Sequence, residues 1–217
     1  MKPFVVVVLL FLFACQGVSD TTWKRVRTEL SDIQEKDKRY RIPMDSVARK
    51  EGWKSKRIEE LWTNQRILDS ANLVAVDRLL SRYGYPPAAK VGPLSQVPFD
   101  VIRHADDSVQ AIYCEIIVGA GKNGDLRMSE VASFYDQVLM MERVPQEYGT
   151  QVWIEYKKNP ETGERYDSVY LWPVRDMPNI DAKRLAAGLD SLSSHLRRFG
   201  IDPSKGYLIR KSGGAPH

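Results

Sequence analysis

The chain has 217 residues, of which 43% are hydrophobic and 28% are charged, enough to bury a sizeable core beneath a solvated surface. Its net charge of +4 is uneven, because residues 24–57 carry twelve Lys or Arg and six Asp or Glu, a local net charge of +6. We interpret this basic segment as a solvated helix surface in preference to a nucleic-acid site, and attraction to anionic lipid headgroups is a third interpretation. The composition therefore excludes a disordered chain and argues against a nucleic-acid partner.

The first fifteen residues have the pattern of an export signal. Lys2 precedes an unbroken apolar run at residues 4–13, which is too short to span a bilayer because a helix needs about 20 residues for that. The sequence L-F-A-C at residues 12–15 resembles a bacterial lipobox, although its second residue is a bulky Phe. We predict a lipoprotein-type signal peptide at residues 1–14, lipidation of Cys15, and a membrane-anchored cell-envelope protein that faces the periplasm or the cell surface. An ordinary cleaved signal is the alternative.

The sequence contains two cysteines, Cys15 and Cys114. If Cys15 carries lipid, Cys114 has no disulfide partner, and an exported protein usually buries such a thiol. Cys114 lies in the apolar run I-Y-C-E-I-I at residues 112–117. We therefore predict that it packs in the core and is not a nucleophile.

A charged helix is predicted near the start of the mature chain. Residues 23–40 have apolar residues every three or four positions, a spacing typical of a helix with a narrow apolar stripe. We assign residues 15–56 as a tether and a basic helical arm. A single globular helical domain is predicted to follow at residues 57–200, with residues 201–217 as a tail.

The longest predicted helix covers residues 57–83, where apolar residues recur at helical spacing. Gln65, Asp69 and Asn72 interrupt this stripe, and their spacing of four and three residues turns all three toward the core. A buried carboxylate or amide without a partner costs on the order of a few kcal/mol, so each needs one. For this helix alone we favour a structural network that fixes helix register; one wall of a pocket is the other hypothesis.

Further helices are predicted at about residues 95–105, 108–120, 128–142 and 181–199. At residues 150–173 the period changes to two around the turn sequence N-P-E-T-G, which predicts a β-hairpin. Its aliphatic face is expected to pack on the helices, and the other face carries Trp153, Tyr170 and Trp172. The sequence therefore predicts a mainly α fold with a C-terminal β-hairpin, in the α+β class.

Residues 119–124 match the dinucleotide fingerprint G-x-G-x-x-G. That motif requires a preceding strand, a following helix and a surrounding βαβ unit. The run before residue 119 has helical spacing instead. We therefore interpret the glycines as a helix C-terminus followed by a turn.

Five short motifs between about residues 65 and 196 carry a resemblance to a known family. They are Asp69 with Asn72, Y-G-Y-P at 83–86, V-G at 91–92, H-A-D-x-x-x-Q at 104–110 and Q-x-Y-G-T-Q at 146–151. Through them the chain resembles bacterial domain-of-unknown-function family 6624. Arg103 stands where that pattern has an amide, and Gln137 stands where it has an arginine. The resemblance implies an exported lipoprotein with no assigned activity, and it supports the fold and the place of the site.

The last two motifs contain most of the candidate site. His104 is the predicted general acid or base because imidazole titrates near neutral pH, and Asp106, or Asp69 from another helix, is the candidate to orient it. The predicted binding residues are Asp69, Asn72, Gln110, Gln146, Tyr148, Thr150 and Gln151. The sequence has no recognisable nucleophile motif and no second His at metal-ligand spacing, so we predict no triad, metal or cofactor.

These side chains are expected to converge in one place. An open cleft between them would favour a ligand site or an enzyme, whereas a sealed hydrogen-bonded network that pins the hairpin to the helices would favour a scaffold. The leading prediction is a lipid-anchored envelope protein that binds or scaffolds, with the membrane and an unknown small-molecule or protein ligand as partners. The alternative is a periplasmic hydrolase or transferase that uses His104 as acid or base.

Overall fold

The computed structural model describes residues 19–158, 161, 163 and 165–202. The predicted signal peptide, the lipidation site at Cys15 and residues 203–217 of the predicted tail lie outside the described residues. Within the described ranges, the helices are all too short or too polar to cross a bilayer.

The described chain is mainly helical and has a C-terminal two-stranded antiparallel hairpin, which confirms the predicted fold class. Two 3-10 turns, Gly92–Ser95 and Met177–Asn179, precede α5 and α8. The elements in chain order are α1 (Asp20–Arg39), α2 (Arg41–Glu51), α3 (Lys56–Tyr83), α4 (Ala88–Val91), α5 (Gln96–Arg103), α6 (Asp107–Lys122), α7 (Met128–Met141), β1 (Val152–Lys158), β2 (Arg165–Leu171), α8 (Ile180–Ala186) and α9 (Leu192–Arg197).

The first helix is part of the main core, so the prediction of a separate basic arm is wrong for it. Its apolar stripe is buried against α3 and α5 and consists of Trp23, Val26, Leu30 and Ile33. The helix α2 also packs on α3, where Met44, Val47 and Ala48 form a small cluster with Ile58. A narrow stripe suffices here because two neighbouring helices cover it, while the basic residues face solvent.

The helices α6 and α7 pack against each other and bury Cys114, Ile117, Val131 and Val138. Burial raises the pKa of the Cys114 thiol to about 11, so the thiol is protonated at neutral pH and Cys114 packs in the core as predicted. The helix α6 continues to Lys122 and the chain turns at Gly124, which has a positive φ of 80°. The described sheet is antiparallel, so this glycine motif lacks the βαβ setting of a dinucleotide site.

The hairpin pairs Val152 with Leu171 and Ile154 with Val169 on one face. This aliphatic face packs on α8 and α9, in a second core cluster with Ile180, Leu192 and Leu196. On the other face, the indole Nε1 of Trp172 donates to the carbonyl oxygen of Val144 at 2.8 Å, just after α7. The hairpin is therefore held from both sides at its base.

The predicted single helix at residues 181–199 is instead two short helices, α8 and α9. Gly188, with φ of 72°, breaks the helix, and the carboxylate of Asp181 accepts from the backbone N–H of Leu192 at the start of α9. Near the two ends of the predicted helix, Leu185 is 77% exposed and Phe199 is also exposed, so neither side chain belongs to the core. Folding the two helices against each other allows Ile180, Leu192 and Leu196 to cover the hairpin.

Leu30 tests whether α1 belongs to the core. Leu30→Ala is expected to lower the free energy of unfolding by about 2–5 kcal/mol, because the side chain is fully buried and its removal leaves a cavity. Urea unfolding followed by circular dichroism measures this change. Lys24→Ala, on the exposed side of α1, is the control and should change stability little. Equal stability of both variants and the wild type would mean that α1 is an independent arm.

Candidate functional site

The predicted site residues form two polar clusters and do not converge in one. The His104 cluster contains Asp37, Arg41, Gln65, Asp69 and His104, and lies between α1, α3 and the end of α5. The Asp136 cluster lies between α7, the hairpin and α8, and contains Asp136, Gln146, Tyr148, Thr150, Gln151 and Arg184. Among the described residues, no hydrogen bond connects the two clusters directly.

His104 is held by a carboxylate that the sequence analysis missed. Its ring Nδ1 lies 3.2 Å from Oδ1 of Asp37. Asp106 is exposed and its side chain makes no capping hydrogen bond to α6, so the prediction that it orients His104 is not supported by any contact. Asp37 continues the buried stripe of α1 four residues beyond Ile33, and this helical spacing was the signal that could have identified it.

Arg41 connects the acids of the His104 cluster. Its Nη2 donates to Asp69 at 2.8 Å, and its Nε donates to Asp37 at 3.4 Å. Burial alone would raise the pKa of Asp37, but the hydrogen bond to His104 and the positive charges nearby more than offset this and lower that pKa below its usual value. The cluster therefore stabilises an ionised Asp37.

The polar residues of α3 are turned toward the core as predicted, and two of them fasten α1. The Gln65 amide accepts from the backbone N–H of Tyr40 at 3.1 Å and donates to Asp69 at 2.8 Å. Asn72 donates to the carbonyl oxygen of Ile33 at 3.2 Å. Gln65 and Asn72 are fully buried, so their role is to satisfy backbone groups at the end of α1 and fix its register on α3.

A small open cavity of about 240 Å³ lies beside the His104 cluster. Its walls include Asp69, Ser70, His104 and Asp106. The Ser70 hydroxyl donates to the carbonyl oxygen of Arg66 within α3, so it is not directed at the imidazole. The cavity is smaller than typical ligand sites, which measure roughly 300–1,000 Å³.

Gln110 is a structural residue that joins three helices. Its buried amide donates to the carbonyl oxygens of Arg103 and Ala105 at the end of α5. Its oxygen accepts from Gln137 on α7 at 3.3 Å. Gln137, one of the two residues that differ from the pattern of the family that the chain resembles, is therefore a partner for Gln110.

The carboxylate of Asp136 is the centre of the second cluster. It accepts from the backbone N–H groups of Glu147, Tyr148 and Thr150 at 2.8–3.1 Å and from the Thr150 hydroxyl at 2.9 Å. Burial raises the pKa of Asp136 above its usual value, and these hydrogen bonds offset only part of that rise. Both oxygens accept from N–H donors, a geometry that suits the ionised carboxylate. Sequence reasoning missed Asp136 because an acid on an amphipathic helix is usually exposed.

Gln146 and Gln151 close the base of the hairpin. The Gln146 amide donates to the carbonyl oxygens of Gln151 and Trp172, and its oxygen accepts from the backbone N–H of Gln151. The Gln151 side chain donates to the carbonyl oxygen of Ser133 on α7 at 3.1 Å. The Gln146 amide therefore replaces a backbone partner where the strand pairing ends, and the Gln151 amide joins that end of the hairpin to α7.

Arg184 is fully buried and was not identified from the sequence, since an arginine on a short helix ordinarily faces solvent. Its guanidinium donates to the carbonyl oxygens of Tyr148, Gly149 and Asp190 and pairs with the Asp190 carboxylate. It fastens α8 to the turn before β1.

Gly149 has a positive φ of 66°. A Cβ atom there would also lie 3.0 Å from Cδ1 of Leu192. The turn therefore requires glycine both for its backbone conformation and for its packing.

A larger open groove lies on the other side of the Asp136 cluster. Two adjoining cavities of about 520 and 270 Å³ share Met128, Glu147 and Tyr148 as walls, and we call them together the Tyr148 groove. One long wall is a face of α6, and α8 closes the far end with Lys183. The α6 wall consists of Cys114, Glu115, Val118, Gly119 and Lys122.

Some polar side chains of the Tyr148 groove already pair with charged neighbours, and others do not. Glu147 pairs with Arg175 at 2.6 Å and with Lys183 at 3.1 Å. Lys122 is exposed and forms no ion pair with another described residue. Burial raises the pKa of the Tyr135 and Tyr148 hydroxyls, so both remain protonated and can donate hydrogen bonds.

Comparison with known proteins finds no matching family model, no matching curated protein and no matching solved structure. The resemblance to family 6624 therefore stays a prediction. In the part of the chain that the structure describes, no group of three or more His, Cys, Asp or Glu side chains is placed to hold a metal ion.

Asp136→Asn is expected to lower the free energy of unfolding by about 2–4 kcal/mol, because an amide places an N–H group against backbone donors that now face a carboxylate. Chemical denaturation of the purified variant measures this change. Asp45→Asn is the matched control, since Asp45 is exposed. A loss no greater than that of the control would show that the Asp136 hydrogen bonds contribute nothing to stability.

Asp37→Asn is expected to reduce the acid sensitivity of folding. Because the pKa of Asp37 is lower in the folded protein than in the unfolded chain, its ionised form stabilises the fold above the unfolded value of about 3.9. That stabilisation is lost as the pH falls through the folded pKa. Urea unfolding at mildly acidic and at strongly acidic pH should show a smaller loss for Asp37→Asn than for the wild type. The same loss in both proteins would contradict the interpretation.

Proposed function

We propose that this protein is a lipid-anchored binding protein of the cell envelope and that the Tyr148 groove is its ligand site. The observation that carries the proposal is that the buried Asp136 cluster fixes the backbone of Glu147 and Tyr148 while both residues line the groove. Binding sites are usually preformed clefts with a few oriented polar groups, and this groove has that construction.

The chemistry of the groove supports binding of an amphipathic ligand. Val118 and Met128 supply apolar surface, and Tyr135 and Tyr148 add aromatic surface with hydroxyl donors. Lys122 adds a cation that no described acid neutralises. The Cys114 thiol also lines the groove, but its raised pKa of about 11 makes it a poor nucleophile.

An enzyme that uses His104 has weaker support. The Asp37–His104 pair could act as an acid or base, but the adjacent cavity is small and its serine hydroxyl is occupied within α3. Most predicted binding residues are sealed: Asn72, Gln110, Gln146 and Thr150 are buried. The first three donate to backbone carbonyl oxygens and Thr150 donates to the Asp136 carboxylate, which accounts for them as parts of a scaffold.

The anchor is tested by metabolic labelling with an alkyne fatty acid in the bacterial cells that produce the protein. The wild type is expected to carry the label and to partition into detergent, because the L-F-A-C motif directs lipid to Cys15. Cys15→Ala should lose the label, whereas Cys114→Ala, which removes the other cysteine, should keep it. An unlabelled wild type would contradict lipidation.

The groove is tested by filling it. A Cβ atom at Gly119 meets no other atom within 4 Å, so Gly119→Trp should occupy the groove without disturbing the backbone. Native mass spectrometry of protein purified from envelopes in mild detergent is expected to find a bound species on the wild type and its loss on Gly119→Trp.

Gly119→Ala is the matched control for the groove-filling variant. It changes the same helical position but leaves the groove open, and it should retain the bound species. Identical spectra for the wild type and both variants would rule out the Tyr148 groove as the ligand site.

A further inference from the structure

Two tryptophan side chains are exposed where α2 turns into α3. We call this region the α2–α3 tip and define it as residues 49–57 together with Trp62 and Arg66. Trp53 is 62% exposed and Trp62 is 40% exposed. Proteins usually cover most of such a large apolar ring, and tryptophan is enriched where proteins meet the membrane–water interface. The exposure of both rings therefore indicates a contact surface.

The α2–α3 tip is strongly basic. Residues 49–57 contain five Lys or Arg and one Glu, a net charge of +4. The ion pairs at the tip are long, 4.0 Å for Lys56 with Glu60 and 3.9 Å for Arg57 with Glu51. Lys50 and Lys54 are exposed and pair with no acid in the described part of the chain. The tip thus presents cations that are available to an anionic partner.

A notch of about 390 Å³ separates the two indole rings. Lys54 and Arg66 line it together with Glu59, so cations outnumber acids in the notch by two to one. Aromatic walls with cationic groups between them suit a surface whose anionic headgroups lie above an apolar layer.

The tip lies far from the start of the described chain. The Trp23 ring lies beside the Tyr83 ring at the C-terminal end of α3, with the ring centroids 6.3 Å apart. Toward the other end of α3, the backbone N–H of Tyr40 donates to Gln65. The helices α1 and α3 are therefore antiparallel. Since α3 has 28 residues, the tip is about 40 Å from the end of α3 that adjoins the start of α1.

We propose that the α2–α3 tip is a membrane contact that binds the surface of an anionic lipid bilayer, with Trp53 at the headgroup level. The orientation that follows rests on the proposed function, because it uses the lipid anchor at Cys15. Ser19 is the fourth residue after that cysteine, a reach of at most about 14 Å. Contact at both ends then lays α3 along the bilayer. Nucleic acid is the weaker partner, because the signal sequence predicts export to the envelope.

The test uses the full-length protein as processed by the cells that produce it. The protein is reconstituted with vesicles of brominated phosphatidylcholine, with or without added phosphatidylglycerol, because bromine quenches nearby tryptophan fluorescence. Phosphatidylglycerol is expected to increase the quenching, and high salt should remove the increase because it screens the charges. Trp53→Phe combined with Trp62→Phe should lose the phosphatidylglycerol-dependent quenching, because both exposed rings of the tip are then absent.

Charge reversal at the tip provides the matched comparison. Lys54→Glu combined with Lys56→Glu should abolish the phosphatidylglycerol-dependent quenching. Lys158→Glu combined with Arg197→Glu makes the same change in net charge at exposed positions outside the tip and outside the Tyr148 groove, and should retain it. Circular dichroism confirms that each variant is folded.

Three results would overturn the proposal. They are equal quenching in both vesicle compositions, phosphatidylglycerol-dependent quenching that persists in Trp53→Phe combined with Trp62→Phe, and binding of a single-stranded oligonucleotide that requires Lys54 and Lys56 while vesicles cause no quenching. The last result would identify a nucleic-acid surface. Fatty-acid labelling reports on the anchor without involving the tip, so failure of either proposal is recognised separately.

Discussion

The buried carboxylate of Asp136 is the interaction on which the second half of the structure depends. In the segment between α7 and β1, the backbone N–H groups of residues 147–150 have no backbone acceptor among the described residues. One ionised side chain accepts from three of them, which makes an irregular segment as well satisfied as a helix end. The turn at Gly149 and the position of Tyr148 follow from this arrangement.

Buried polar side chains also satisfy backbone groups at three other places in the fold. Gln65 and Asn72 satisfy backbone groups near the end of α1, Gln110 does so at the end of α5, and Arg184 does so beside Gly149. Burying these groups is costly unless their hydrogen bonds are made, so each fixes one arrangement of its neighbours. The polar residues are therefore mainly a scaffold, and the open surfaces lie beside them.

The open surfaces occupy different parts of the molecule. The Tyr148 groove lies against α6 and α8, whereas the α2–α3 tip lies at the N-terminal end of α3. A protein held at a membrane by the tip and an anchor would still leave α6 and α8 to meet a ligand. Because the Asp136 cluster already fixes the backbone of Glu147 and Tyr148, a ligand that binds as proposed would cost the protein little conformational entropy.

The sequence by itself determined the class of fold, because helical spacing and strand alternation depend only on neighbouring residues. It also determined that Gln65 and Asn72 face the core. It could not show that α1 joins the core or that Gly188 divides the last helix, since both depend on what packs against the apolar stripe. Asp37, Asp136 and Arg184 resemble surface charges when read along the chain. Only the tertiary structure buries them beside specific backbone groups and so decides which charges stabilise the fold. It also separates the predicted site into two clusters.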